Sequence, residues 1–198
     1  MEQLSLNSLK NFLGNQGVEL SEKQFLQLEG FASMLYTYSG RMSLVSAADR
    51  DNLVRRHFLE CFFYVKNLLM VFPSQARLVD MGTGGGLPGV ILSIIFPEND
   101  IVLLESVRKK SLFLKKVKEE LSLSYTVVNE RIERVESRFF KSFDVVTARA
   151  LAALPLLMRY AFPLLREGGQ LHVIKGRDYE QEMAGLSGYA LRVVEPGK

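Results

Sequence analysis

Disulfide pairs and membrane segments are the first features that this sequence lacks. Its 198 residues include a single cysteine, Cys61, so no internal disulfide framework is available, and such a chain suits a reducing compartment. No apolar run reaches the roughly 20 residues that cross a bilayer. The opening residues, MEQLSLNSLKNFLG, have neither the basic start nor the apolar block of a signal peptide. We therefore expect a cytoplasmic protein without a membrane partner.

Histidine is scarce as well, and neither sign of charge dominates. The two histidines, His57 and His172, show no metal-ligand spacing, so no metal is expected. His172 lies in an apolar strand pattern and is interpreted as structural, whereas His57 is expected to face solvent or an RNA phosphate. Cys61 is interpreted as a packed core thiol far from any site. The net charge of +3 is compatible with a polyanionic partner without requiring one.

The first 76 residues have helical patterns. SLNSLKNFLGNQ is a short amphipathic piece, and Ser21 followed by Gln24 forms the signature of a capping box. DRDNLVRRHFLECFFYVKNLLMVF predicts one long helix that ends before Pro73. We therefore expect an N-terminal helical cap over residues 1–76.

From Arg77 the pattern changes to strands that alternate with helices. The predicted strands are RLVDM, IVLLES, YTVVN, FDVVTA, GQLHVIK and YALRVV. The predicted helices between them are LPGVILSII, SVRKKSLFLKKVKEEL, IERVESRFF, LAALPLLMRYAFPLLRE and DYEQEMAGL. Such alternation is typical of βαβ units. Residues 77–198 are therefore predicted to form an α/β core, a doubly wound and mostly parallel sheet with helices on both faces.

The segment LVDMGTGGGLPGV, residues 78–90, begins in the first predicted strand and continues past its carboxyl end, where doubly wound sheets bind their ligands. Counted from Asp80, the glycines Gly82, Gly84 and Gly86 give D-x-G-x-G-x-G. Counted from Gly84, the same segment gives the G-x-G-x-x-G of a dinucleotide fold, which is a weak signal alone. A glycine-rich turn without a ligand is the third possibility.

The residues around the glycines favour S-adenosylmethionine. Asp80 would repel a pyrophosphate but suits a cationic, amine-bearing ligand, and Pro88 removes one N–H donor at the expected first helical position. Glu105 ends the second strand about 20 residues beyond the glycines, where an acid accepts the ribose hydroxyls of an adenosine. Because that acid suits a nicotinamide cofactor equally, NAD stays open as the alternative.

Five segments occur in an order that resembles a known family: LVDMGTGGGLPGVILSIIFP, LLESVRKKSLFLKKV, VNERIERV, FDVVTARAL and VIKG. They are similar to the RsmG family, also called glucose-inhibited division protein B. Its members are bacterial methyltransferases that modify guanine N7 in small-subunit (16S) ribosomal RNA. The resemblance extends from about residue 20 to about residue 180.

The resemblance implies the class I methyltransferase fold, S-adenosylmethionine as cofactor, and ribosomal RNA of the small subunit as partner. It assigns Gly82 and Leu87 to the cofactor site, Glu105 to the ribose, and Ile132 and Glu133 to the adenine. It also places Arg149 at the mouth of the site, as a further candidate for cofactor binding. The helical cap departs from the family pattern at Tyr38, Ser39, Ser43 and Val45. It departs again at Glu60 and Cys61, after the retained His57.

Arg149 and Lys175 both stand at the carboxyl ends of predicted strands, where a charge is seldom needed for folding. We interpret both as catalytic residues on a basic rim, and Lys109 and Lys110 are candidates for phosphate contacts. Attack by a neutral guanine N7 releases no proton, so alignment replaces a general base. A small-molecule methyltransferase and a non-catalytic S-adenosylmethionine-binding module remain as alternatives. We also expect no antiparallel closing strand after YALRVVEPGK.

Overall fold

Five parallel strands form one sheet in the computed structural model, which describes residues 10–11, 14–15, 17–45, 53–69, 74–175, 179–183 and 186. The strands are β1 (Arg77–Met81), β2 (Asp100–Leu104), β3 (Tyr125–Val128), β4 (Phe143–Arg149) and β5 (Leu165–Ile174). Their order is β3-β2-β1-β4-β5, and every neighbouring pair is parallel. The predicted doubly wound α/β fold is confirmed.

The helices follow the predicted alternation. They are α1 (Glu22–Ser39), a π-helix (Leu53–Phe58), α2 (Leu59–Leu69), α3 (Gly89–Ile95), α4 (Arg108–Glu120), α5 (Leu154–Ala161) and α6 (Tyr179–Met183). The predicted capping box is confirmed, because the Ser21 side chain accepts from the Gln24 N–H and the Gln24 side chain accepts from the Ser21 N–H. It satisfies two N–H groups that a helix start otherwise leaves without partners.

Side chains of each strand alternate between two apolar clusters. Leu78 of β1 belongs to a cluster with α1, the π-helix, α2, α3 and α4. Val79 and Met81 belong to a second cluster, covered by α5 and by the segment between β3 and β4. The first cluster takes residues from both sides of position 76, so the helical cap and the sheet share one core. The proposed division at residue 76 stays a prediction.

Three predicted helices differ in the structure. LAALPLLMRYAFPLLRE is helical only over Leu154–Ala161, and its residues 165–167 belong to β5. The long helix begins its described part as a π-helix, Leu53–Phe58, before it continues as α2. IERVESRFF forms two short 3-10 turns, Ile132–Arg134 and Ser137–Phe139. The residues between these turns, Val135 and Glu136, are extended. Because both turns place apolar side chains against the second cluster, packing onto the sheet overrides helical periodicity there.

Other predictions fall partly outside the described residues. The segment YALRVV, predicted as a strand, lies outside them, as does most of SLNSLKNFLGNQ. Within the described part of the chain, no helix is long and apolar enough to span a membrane.

Candidate functional site

The loop from β1 to α3 is built on left-handed glycines. Gly82, Gly84 and Gly86 have φ angles of +63°, +60° and +94°, a region that side-chain-bearing residues rarely adopt. The N–H groups of Gly82 and Thr83 both donate to the Leu104 carbonyl, at 2.9 and 3.2 Å. The loop therefore passes over the carboxyl end of β2, at the edge of the sheet where the fold binds ligands.

The three glycines meet different surroundings. A Cβ atom on Gly86 would lie 2.5 Å from the Val90 side chain, and one on Gly82 would lie 2.5 Å from Leu151. A Cβ atom on Gly84 would meet nothing closer than the Gly82 carbonyl at 3.9 Å. Gly84 therefore presents bare backbone to open space. This cradle, which a side chain would fill, fits the predicted cofactor.

Glu105 holds this cradle from the end of β2. Its carboxylate accepts from the Gly84 N–H at 2.9 Å and from the Val107 N–H at 2.7 Å, and the residue is 5% exposed. The Asn129 side chain donates to the Glu105 carbonyl at 2.8 Å. A carboxylate has about four lone-pair sites, so these two bonds leave capacity for a ribose diol. Asn129 was missed by sequence reasoning because its contact is through backbone.

Asp80 lies beneath the loop and is fully buried. Its carboxylate accepts from the Gly89 N–H at 2.9 Å and from the Thr147 hydroxyl at 2.7 Å. The N–H group at the start of α3, which a dinucleotide fold offers to a pyrophosphate, is thus bonded to a protein carboxylate. Pro88 is the N-cap of α3 and not its first residue. This arrangement favours a ligand without phosphate and assigns Asp80 to organising the loop.

Burial gives Asp80 a pH-dependent effect on stability, because it raises the pKa of the carboxyl from 3.8 to about 6 against the hydrogen bonds that oppose the shift. The unfolded chain releases this proton near pH 3.8, whereas the folded chain keeps it up to about pH 6. Folding therefore takes up a proton between about pH 4 and pH 6. The free energy of unfolding therefore falls across this range, by roughly 3 kcal/mol at most.

Asp80→Asn keeps an acceptor for Gly89 and a donor for Thr147, and it removes the titration. We expect wild-type stability relative to Asp80→Asn, measured by urea unfolding, to fall from pH 4 to 6 and then level. A constant difference from pH 4 to 7 would contradict this assignment.

The adenine candidates follow β3 at the same edge of the sheet. Ile132 is half-buried and packs against the second cluster. Glu133 is exposed, and its carboxylate accepts from the Tyr160 hydroxyl at 2.8 Å. Leu87 has a buried side chain, so a contact with a cofactor would be through its backbone. The structure brings these residues to one edge, and their contacts with a cofactor stay a prediction.

Arg149 and Lys175 lie at the carboxyl ends of β4 and β5, and both are ion-paired. Arg149 Nη1 lies 3.8 Å from Glu60, and the Arg149 side chain is 15% exposed. Lys175 Nζ lies 2.6 Å from Glu182, and its side chain is 17% exposed. The same Glu182 carboxylate accepts from the Leu154 N–H at 2.6 Å. The basic rim is therefore partly neutralised at these two positions, which sequence patterns did not indicate.

Two residues beside Arg149 do not lie where the sequence predicted them. His57 is 6% exposed and contacts the Arg149 guanidinium through Nδ1, so it faces neither solvent nor an RNA phosphate. Cys61 is fully buried as predicted, but its Sγ lies 3.9 Å from Arg149 Nη1. It is therefore next to the candidate site and not far from it. Both errors have one cause, since the packing of the cap on the sheet has no local sequence signal.

Leu151 is a site residue that the sequence did not single out. It is 38% exposed, and its side chain covers Gly82. The preceding residue, Ala150, has a φ angle of +48°, a conformation that non-glycine residues adopt at a cost, often near functional sites. No group of three or more His, Cys, Asp or Glu that could hold a metal occurs among the described residues.

Comparisons with known proteins identify a family that this chain resembles. The family model for rRNA small subunit methyltransferase G matches residues 24–190. Ribosomal RNA small subunit methyltransferase G of Acholeplasma laidlawii is 33% identical over 178 residues, which are 90% of this chain and 76% of the relative. That of Acidiphilium cryptum is 40% identical over 169 residues, or 83% and 75% of the two chains.

A solved structure supports the fold. It is a putative S-adenosyl-L-methionine-dependent methyltransferase from Methanococcus maripaludis, with a TM-score of 0.54 and 17% identity. The match covers 69% of this chain and 68% of that one.

Proposed function

Because this chain belongs to the rRNA small subunit methyltransferase G family, we propose that it methylates N7 of a guanine in 16S ribosomal RNA with S-adenosylmethionine. The observation that carries the proposal is the cradle at Gly84, which is open on one side and held by the Glu105 carboxylate on the other. A cofactor without phosphate fits this edge of the sheet, because the N–H group at the start of α3 already donates to the Asp80 carboxylate.

We assign cofactor binding to the residues at this edge of the sheet. The backbone of residues 82–87 would line the cofactor site, and Glu105 would accept hydrogen bonds from the ribose hydroxyls. Ile132 would supply an apolar surface for the adenine, with Glu133 beside it. S-adenosylmethionine supplies a methyl group on a positively charged sulfur, which makes that methyl electrophilic.

The protein's own contribution to the reaction is alignment and the exclusion of water. A guanine N7 attacks with a neutral lone pair, so no side chain has to remove a proton. Arg149 follows Ala148, which pairs with Met81, the last residue of β1 before the glycine loop. We assign Arg149 and Lys175 to contacts with the RNA substrate at this mouth.

The exposed basic residues near the site suit an RNA partner. Arg108 and Lys109 follow β2, and Arg131 and Arg134 follow β3, all with exposed side chains. Because each of these segments leaves the carboxyl end of a strand, the four cations surround the same edge. Phosphate contacts release counterions, so affinity for RNA should fall steeply with salt.

The test is to incubate small ribosomal subunits and naked 16S ribosomal RNA with methyl-labelled S-adenosylmethionine and to map the modified base. We expect label at N7 of a guanine, with a rate nearly flat from pH 6 to 8.5 because no general base takes part. A methylated ribose or pyrimidine carbon, or label only in a small molecule, would contradict the proposal. Cofactor binding without any transfer would indicate a binding module instead.

A further inference from the structure

Arg149 is held by side chains of the helical cap. Three cap residues surround its guanidinium: His57 contacts Nη2 through Nδ1, Cys61 Sγ lies 3.9 Å from Nη1, and Glu60 lies 3.8 Å from Nη1. His57 belongs to the π-helix, while Glu60 and Cys61 belong to α2. A residue at the mouth of the cofactor site is therefore oriented by elements that precede the sheet in the chain.

The strand alternation explains why Arg149 reaches the cap. Val146 and Ala148 of β4 point into the second cluster, whereas Val145 belongs to the first cluster, beneath the cap. Thr147 lies on that same face, where its hydroxyl donates to Asp80. By the period of two, Arg149 points to this face as well. Its side chain is thus directed under the cap as it leaves the sheet.

The donor and acceptor chemistry makes His57 the specific partner. A guanidinium carries only N–H donors, so His57 Nδ1 accepts in this contact and the ring proton lies on Nε2. Burial raises the pKa of the Cys61 thiol to about 12, so this neighbour is a neutral and weak acceptor. Glu60 lies at a distance longer than a hydrogen bond. His57 is therefore the contact that fixes the direction of the guanidinium.

The helix geometry places these three residues on one face. Positions 57, 60 and 61 are three and four residues apart, which is the spacing of neighbours on a helix surface. The π-helix ends at Phe58, one residue after His57. Wide turns of this kind are rare and occur frequently at functional sites. The π-helix thus places His57 against the same guanidinium that Glu60 and Cys61 of α2 lie near.

We propose that His57 is a positioning residue, which orients the Arg149 guanidinium toward the RNA substrate at the mouth of the site. The inference rests on the proposed function, because the role of Arg149 in methyl transfer belongs to it. His57 acts only through Arg149. Its removal leaves the cofactor cradle at Gly84 and Glu105 intact.

The test is a double-mutant cycle on methyl transfer to small-subunit ribosomal RNA, with His57→Ala, Arg149→Ala and both together. We expect kcat to fall about tenfold for His57→Ala and about a hundredfold for Arg149→Ala. The double variant should be no slower than Arg149→Ala alone, and the cofactor Kd should stay within about twofold throughout. Multiplying losses would overturn the inference, because His57 would then act independently of Arg149.

A rescue variant separates positioning from folding. His57→Gln keeps a side-chain acceptor and should recover most of the lost kcat, whereas His57→Ala should not. The melting temperature of each variant reports its structural cost. Equal activity of the two variants at equal melting temperature would also overturn the inference.

A spectroscopic readout is independent of turnover. The chain has only two histidines, so His172→Ala assigns both rings in a long-range ¹H–¹⁵N spectrum. We expect wild-type His57 to carry its proton on Nε2, and Arg149→Ala to shift the Nδ1 resonance. An unchanged His57 ring would overturn the contact itself. A wild-type protein that methylates no RNA would instead contradict the proposed function, and the spectrum would still decide on the contact.

Discussion

The Gly84→Val variant is expected to lose S-adenosylmethionine binding, with Kd rising more than about a hundredfold. A Cβ at this position enters open space beside the loop and not a neighbouring side chain. In the proposed site that space belongs to the cofactor, so a branched side chain competes with the ligand. Backbone strain at a φ angle of +60° adds about 1–2 kcal/mol of destabilisation. Calorimetric titration measures the loss of binding, and circular dichroism checks the fold.

Gly168→Val is the matched control. Gly168 has a φ angle of +74°, and a Cβ there also meets nothing within 4 Å, but it lies in the early part of β5. The two variants should lose similar amounts of melting temperature, and only Gly84→Val should lose the cofactor. A wild-type affinity of Gly84→Val for S-adenosylmethionine would contradict a cofactor site at this loop.

The second large effect is expected for Arg149→Ala, which should lower kcat for ribosomal RNA by about a hundredfold. The guanidinium stands at the mouth of the site and is largely buried between the cap and the sheet. In the proposed reaction its loss removes an orienting contact with the RNA substrate, whereas Gly84 and Glu105 of the cofactor cradle stay in place. Steady-state methyl transfer, with cofactor Kd measured separately, distinguishes a lost contact with the substrate from a lost contact with the cofactor.

Arg166→Ala supplies the control for losing an ion-paired arginine from the same sheet. Arg166 pairs with Asp144, and both lie in the early parts of β5 and β4, away from the carboxyl ends. This variant should keep wild-type kcat. An Arg149→Ala enzyme as active as Arg166→Ala would contradict a role for Arg149 in the reaction.

Local features of the chain were predictable because their signals are local. The capping box at Ser21 and Gln24 was confirmed, since a segment of four residues suffices to form it. The strand before Asp80 and the left-handed glycines after it follow from an apolar run and from the conformations open only to glycine. The alternation of strands and helices similarly predicted a parallel sheet, because parallel strands require crossover connections.

Contacts between distant segments were not predictable in the same way. The apolar residues of IERVESRFF have helical spacing, yet the segment forms two short 3-10 turns that pack against the sheet. His57 was expected at the surface because Arg55 and Arg56 precede it, and the structure buries it against Arg149. Glu182 was assigned no role, although it pairs with Lys175 and caps α5.

The sequence by itself determined the class of fold, the position of the ligand loop and the acids that end the first two strands. These features depend on backbone conformation and on periods of two and 3.6 residues, which a few neighbouring residues establish. Only the tertiary structure decided that the Asp80 carboxylate accepts a hydrogen bond from the start of α3 and that Glu105 accepts one from Gly84. It also decided that His57 of the cap contacts Arg149. These contacts join residues 9, 21 and 92 positions apart in the chain, and their partners are selected by packing in three dimensions.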